Sequence, residues 1–155
     1  MNNSKYKVLI VAMGNLIMSD DGVGIHVLRE LQKGNLAEDI LLLEVGTSPL
    51  NYLEEISQSE KVIIIDAMRG GATAGSIYRL TEDNIKFNSN NTRDFHGYTL
   101  LNVVELAREL TDLPINLIIY GVEPKSLDLG EKLSPDIKKS IPTLINLIIK
   151  EAREL

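Results

Sequence analysis

Cysteine is absent from this chain of 155 residues, and its absence limits the chemistry that the protein can perform. Without cysteine the protein has no disulfide bond, no thiolate metal ligand and no cysteine nucleophile. Histidine is scarce as well, since the chain contains only His26 and His96. Any metal site must therefore be built from oxygen ligands and imidazole.

Positive charge is also in short supply. The 16 Lys and Arg residues are scattered along the chain and are outnumbered by 22 Asp and Glu residues, which gives a net charge of -6. A surface that binds nucleic acid needs clustered Lys and Arg to contact phosphate groups. The sequence therefore predicts no nucleic-acid partner, and a partner is expected to be another protein or a cation.

Long apolar runs are missing too. No stretch approaches the roughly 20 apolar residues that a membrane-spanning helix requires. The first seven residues lead into a short apolar run without a small-residue cleavage site, so they do not resemble a secretory signal. We expect no membrane association and a cytoplasmic location.

Several catalytic motifs are absent. The first glycine-containing loop lacks the three-glycine spacing of dinucleotide-binding proteins and the lysine of a phosphate-binding loop. Ser19 and Ser134 do not lie in a Gly-x-Ser-x-Gly elbow, and the chain has no His-Glu-x-x-His motif. Nucleotide binding, serine hydrolase chemistry and zincin-type proteolysis are therefore not supported.

The sequence does contain a regular alternation of apolar strands and amphipathic helices. Its length, with 44% hydrophobic and 25% charged residues, predicts a single domain over residues 1–155. The alternation predicts an α/β fold: a doubly wound, mostly parallel twisted sheet of about five strands, with helices on both faces. Residues 81–94 are polar and too weakly patterned for a regular element, so they are expected to form a loop. The predicted strands cover residues 7–13, 40–45, 61–67, 76–80 and 115–120, and helices are expected to start near residues 23, 49, 98 and 134.

Three metal-binding side chains are expected at one edge of this sheet. Asp21 follows the first strand, Asp66 ends the third, and His96 comes just before a helix. Ligands of α/β proteins bind at the carboxyl ends of the strands, so these residues can converge there. Two carboxylates and an imidazole suit a borderline divalent ion such as nickel, zinc or manganese.

Each of these residues also has a structural interpretation. Asp20 and Asp21 can cap the following helix, and Asp20 is the one expected to be structural. Asp66 can bond its own backbone in a turn, and a lone histidine such as His96 is often structural. His26 lies among apolar residues of the first helix and is expected to be structural.

Gly14 and Asn15 also have two interpretations. They can form a tight turn that only a small residue permits, or they can present backbone groups to a ligand.

An ordered set of motifs runs along the chain: Gly14 to Gly24, Ile64-Ile65-Asp66-Ala67, His96 ahead of a helix, Gly121-Val122-Glu123-Pro124 and Leu133-Ser134-Pro135. With these motifs the chain resembles, over nearly its whole length, the family of hydrogenase maturation endopeptidases. These proteases trim the carboxyl-terminal extension from the large subunit of nickel-iron hydrogenases.

The resemblance implies a substrate and a site. Asp21, Asp66 and His96 would be both catalytic residues and metal ligands. Gly14 and Asn15, in the second of their two interpretations, would contact the substrate. The ion would be nickel already inserted in the hydrogenase precursor, although other divalent ions can occupy such a site in vitro. The segment before His96 lacks the small hydroxyl residue expected there, which makes Asp94 an alternative ligand. Whether the ion or a carboxylate such as Asp21 activates the attacking water stays open.

Two other functions remain as alternatives. One is a non-catalytic metal-binding or assembly factor of the same fold. The other is a phosphoacceptor receiver domain, which also combines an acidic pair near its first strand with an aspartate that ends its third strand. In a receiver, however, the pair should directly follow the strand and a lysine should end the last strand. Here seven residues separate Met13 from Asp21, and Tyr120-Gly121 occupies the lysine position.

Overall fold

The computed structural model describes residues 4–87 and 97–154, which form one five-stranded sheet covered by helices on both faces. The strand order is β2-β1-β3-β5-β4, in which β4 is antiparallel to its neighbour and the other pairs are parallel. The strands are β1 (Tyr6–Met13), β2 (Ile40–Gly46), β3 (Ser59–Ala67), β4 (Ile77–Thr81) and β5 (Asn116–Val122). The helices are α1 (Val23–Gln32), α2 (Leu53–Ser57), α3 (Glu82–Phe87), α4 (Gly97–Thr111) and α5 (Pro135–Arg153), with 3-10 turns at Ser19–Gly22 and Pro49–Tyr52.

Each central strand is apolar on both sides because both faces of the sheet are covered. On one face, Ile10 of β1 and Ile63 of β3 share a core with α1 and α5. On the other face, Leu9 and Ile64 pack in a second core with α2 and α4. The predicted fold, a mostly parallel sheet between two helical layers, is confirmed.

The strands β1 and β3 are neighbours, and the chain leaves them toward opposite edges of the sheet. From β1 it passes to β2 at one edge, whereas both strands that come after β3 in the chain lie on the other side of β3. A crevice opens at such a switch point, outside the carboxyl ends of the two strands. The residues that follow β1 and end β3 therefore flank this crevice.

The prediction of a loop over residues 81–94 is wrong for its first part. Residues 82–87 form α3, and residues 88–94 lie outside the described part of the chain. Glu82 and Asp83 suit the start of a helix, and Arg108 of α4 donates two hydrogen bonds to the Glu82 carboxylate, at 2.7 and 3.0 Å. This long-range ion pair stabilises a segment whose own pattern is weak.

A buried ionic network fastens α5 to the sheet. The Lys61 ammonium group donates to the carboxylate of Glu151 at 2.8 Å and to the carbonyl oxygens of Glu151 and Glu154. Arg79 and Tyr120 both donate to Oε1 of Glu151, at 2.7 and 2.9 Å. Burial works to raise the pKa of Glu151, but the hydrogen bonds from Arg79, Lys61 and Tyr120 outweigh it and lower the pKa to about 2.

This network predicts an acid-dependent loss of stability. Because the folded-state pKa of Glu151 lies below its ordinary value of 4.5, its stabilisation is complete above pH 4.5 and is lost as the pH falls toward 2. The loss is roughly 3 kcal/mol. Urea unfolding between pH 2 and pH 6 should show this dependence in the wild type and a shallower one in Glu151→Gln. The control is Glu44→Gln, which removes an exposed ion pair with Arg29 and should leave the pH dependence unchanged. Equal acid dependence in Glu151→Gln and the wild type would contradict this assignment.

Candidate functional site

The Gly14–Asn15 turn lies between the two predicted carboxylates. Gly14 follows β1 directly and has a φ of +114°, a conformation that L side chains rarely adopt. A Cβ atom added to Gly14 would overlap the carbonyl oxygen of Asp21 and would lie 3.3 Å from Oδ1 of Asp66. The requirement for glycine is therefore steric as well as conformational.

Each of the two aspartates, Asp21 and Asp66, is positioned by a backbone N–H group at the end of a strand. Oδ2 of Asp21 accepts the N–H of Asn15 at 2.9 Å, and Oδ1 of Asp66 accepts the N–H of Ala67 at 2.8 Å. Asp66 is fully buried, whereas Asp21 is 9% exposed. Both carboxylates thus lie against the Gly14–Asn15 turn at the switch point, and Asp21 is the less completely buried of the two.

The third predicted ligand, His96, lies outside the described residues, and so does the alternative ligand Asp94. The three-ligand site therefore stays a prediction. Among residues 4–87 and 97–154, no three histidine or acidic side chains are close enough to hold a metal ion.

His26 lies in α1, and its pKa is lowered by burial and by the charge of Arg29, while a hydrogen bond with the Glu131 backbone opposes the shift.

The backbone of the turn is largely used inside the protein. The N–H of Gly14 donates to the carbonyl of Gly46 at 2.9 Å, and the N–H of Asn15 donates to Asp21. The Asn15 side chain is exposed, and its Oδ1 accepts the N–H of Ile17 at 3.2 Å. A substrate contact at this turn would therefore use the exposed amide group of Asn15 rather than these backbone donors.

Asp20 is a structural residue, but it does not cap the helix that follows it. Its Oδ1 accepts the N–H of Ser134, and its Oδ2 accepts the Ser134 hydroxyl and the N–H groups of Lys125 and Ser126, all within 2.7 to 3.0 Å. Burial works to raise the pKa of Asp20, yet these hydrogen bonds lower it below its ordinary value. Asp20 thus ties the segment carrying Asp21 to the loop between β5 and α5. The expectation that Asp20 caps α1 is wrong, because its four hydrogen bonds go to a distant loop.

Ser134 stands at the start of α5, where the sequence predicts a helix to begin. Its hydroxyl donates to Asp20, and its side chain makes no capping hydrogen bond to the helix.

Glu123 is a buried residue at the same sheet edge for which the sequence analysis assigned no role. Its Oε1 accepts the N–H groups of Gly70 and Ala72 at 2.9 Å and the hydroxyl of Tyr78 at 2.7 Å. These contacts fix the loop that follows Asp66. The available signal was a carboxylate placed directly after an apolar strand, the same signal that identified Asp66.

Comparison with known proteins identifies the family. A family model described as hydrogenase maturation protease matches residues 25–151, which is well over half of the chain. The chain belongs to the hydrogenase maturation protease family. The predicted family is thereby confirmed, and so is the prediction of a protease. The match favours the protease family over the receiver-domain alternative.

Individual proteins that are similar to this chain agree with the family match. A hydrogenase expression/formation protein HupD from Thiocapsa roseopersicina is 27% identical over 93% of this chain and 66% of its own length. The [NiFe] hydrogenase maturation protease HybD from Thermococcus kodakarensis is 25% identical, covers 95% of this chain and 99% of its own, and has a TM-score of 0.82. The hydrogenase maturating endopeptidase HybD from E. coli has a TM-score of 0.85 at 23% identity, over 96% of this chain and 93% of its own, which supports the fold.

The described part of the chain also bears on the membrane prediction. No helix in it is long and apolar enough to span a bilayer.

The Gly14 geometry yields a testable prediction. In Gly14→Ala the new methyl group would displace the Asp21 backbone, and we expect a loss of about 2–4 kcal/mol in unfolding free energy together with loss of activity. The control is Gly71→Ala, since Gly71 also has a positive φ of +86° but nothing lies within 4 Å of its added Cβ. Chemical denaturation measures the unfolding free energy of both variants. The loss in Gly71→Ala reports the backbone strain alone, and any larger loss in Gly14→Ala reports the overlap with Asp21. Equal stability losses in the two would show that the contact with Asp21 is not the cause.

Proposed function

We propose that this protein is an endopeptidase that removes the carboxyl-terminal extension of a nickel-iron hydrogenase large-subunit precursor after nickel insertion. The observation that carries the proposal is the placement of Asp21 and Asp66 against one glycine at the sheet's switch point, in a chain of the hydrogenase maturation protease family. The proposed partner is the precursor protein. A cytoplasmic location and the absence of nucleic-acid and membrane partners stay predictions.

In this proposal the nickel ion arrives as part of the substrate. Asp21 and Asp66 supply carboxylate oxygens and His96 supplies an imidazole nitrogen, a set of donors that suits nickel. Asp66 is fully buried, and its hydrogen bond from the Ala67 N–H fixes its carboxylate. It is therefore a ligand that is already in position when the substrate docks. Gly14 leaves room for the Asp21 backbone carbonyl on one side and for the Asp66 carboxylate on the other, and Asn15 contacts the substrate.

Asp21 is the better candidate for the proton transfer because it is the partly exposed carboxylate. Water adds through its oxygen to the carbonyl carbon of the scissile peptide bond, and Asp21 accepts the proton that this water loses. The carbon–nitrogen bond then breaks, and the same proton passes from Asp21 to the departing amine. The products are a new carboxyl terminus on the large subunit and a free tail peptide.

The acidic pair also explains how cleavage can depend on nickel. Two nearby carboxylates repel each other unless a cation lies between them. A precursor that carries nickel relieves this repulsion on binding and gains coordinate bonds, whereas a precursor without nickel gains neither. The protein would therefore process the large subunit only after its metal has been inserted.

The direct test compares nickel-loaded and nickel-free precursor. Each is mixed with the purified protein, and mass spectrometry follows release of the tail peptide. We expect release from the loaded precursor and at least about a 100-fold lower rate from the nickel-free one. Equal release from both would contradict nickel dependence. Binding of the loaded precursor without release would instead support the non-catalytic assembly factor.

A further inference from the structure

An uncharged groove begins beside the candidate site and runs between two elements that the proposed chemistry does not use. Its volume is about 570 Å³, which lies within the range of ligand-binding clefts. One wall is the 3-10 turn after β2, and the other is the first half of α4. The apolar side chains that line the groove are those of Pro49, Leu50, Val103 and Leu106.

The groove adjoins the Gly14–Asn15 turn. Thr47, its first lining residue, directly follows Gly46, whose carbonyl accepts the N–H of Gly14. A peptide lying in the groove is therefore placed next to the turn that holds Asp21. An endopeptidase cuts inside a polypeptide, so its substrate must continue across the protein surface on both sides of the reacting bond.

The chemistry of the lining indicates what fits. None of its residues is charged, although the protein carries a net charge of -6, and the polar members Ser48, Asn51 and Asn102 offer neutral partners for a peptide backbone. Leu50 is 61% exposed and Leu106 is 37% exposed, so both can lose apolar area to water on binding.

We propose that this groove is a substrate subsite that binds an uncharged, apolar stretch of the precursor next to the bond that is cut. This inference rests on the proposed function and adds to it the residues that select the substrate. Leu50 and Leu106 contact the peptide, and their contribution is to binding and positioning rather than to the chemical step.

The test places a charge in the groove. In Leu50→Glu and Leu106→Glu we expect KM for the nickel-loaded precursor to rise roughly tenfold or more with kcat changed less than about threefold. The matched control is Leu147→Glu, because Leu147 is also 37% exposed but lies on α5, whose core is on the opposite face of the sheet from α4. This control should process the precursor like the wild type. Affinity for the precursor is measured in parallel with processing.

The outcomes separate this proposal from the proposed function. Normal kinetics and affinity in both groove variants, with an active wild type, would overturn the groove and leave the protease. A loss of affinity in the groove variants alone, with no cleavage by any of the proteins, would support the groove and overturn the protease. If Leu106→Glu instead shifts a dimer to a monomer while processing stays normal, the face is an interface between copies of this chain and the subsite is wrong.

Discussion

Asp21→Asn is expected to abolish processing of the nickel-loaded precursor while the fold remains intact. The substitution keeps the volume of the side chain and leaves one oxygen that can still accept the N–H of Asn15. It removes the charge that attracts the ion and the group that accepts the proton from water. Loss of a general base costs about 100-fold to 10000-fold in rate, so tail release followed by mass spectrometry should slow by at least about 100-fold.

The control for this variant is Asp39→Asn. Asp39 is an exposed carboxylate just before β2, at the opposite end of the strands from the site. The Asp39→Asn protein should process the precursor at the wild-type rate. In thermal unfolding, the melting temperatures of Asp21→Asn and Asp39→Asn should lie within a few degrees of that of the wild type. Normal processing by Asp21→Asn would remove Asp21 from the catalytic site.

Asp20→Asn, unlike Asp21→Asn, is expected to destabilise the protein. Asp20 is fully buried and accepts four hydrogen bonds, three of them from backbone N–H groups that cannot turn away. An amide offers only one oxygen, so its NH2 group must face at least one of these donors. We expect a loss of about 2–4 kcal/mol, because a buried donor left unsatisfied is costly. For a domain of this size that corresponds to a melting temperature lower by about 5–15 °C.

Calorimetry and processing assays on the Asp20 and Asp21 variants distinguish the two roles. Asp20→Asn should retain some activity well below its melting temperature, while Asp21→Asn should retain stability without activity. Asp136→Asn provides a control, since Asp136 is in an exposed ion pair with Lys125 and its loss should cost less than about 1 kcal/mol. An Asp20→Asn protein as stable as the wild type would show that these hydrogen bonds do not fasten the loop.

The fold could be predicted from the sequence because its central strands have a strong local pattern. Residues 61–67 are apolar up to Asp66, and such a run indicates a strand buried on both faces. The order of strands and helices then places Asp21 and Asp66 at one edge, since parallel strands share their carboxyl ends. This argument predicts the shared edge of the sheet, whereas the contacts of the two aspartates with the Gly14–Asn15 turn come from the structure.

What could not be predicted depends on partners far away in the sequence. Asp20 meets Ser134 across 114 positions, and Lys61 meets Glu151 across 90. The helix α3 depends on an arginine 26 residues downstream. Local periodicity carries no signal for such contacts, so a buried lysine inside a strand gave no indication of its carboxylate partner.

The central claim is that Asp21, Asp66 and His96 surround one nickel ion, and anomalous diffraction at the nickel absorption edge tests it directly. Crystals of the protein bound to a nickel-loaded precursor with an uncleavable tail would locate the ion. We predict a single strong peak about 2 Å from an oxygen of each carboxylate and from a nitrogen of His96. A nickel peak in the complex that lies out of reach of both Asp21 and Asp66 would contradict the account.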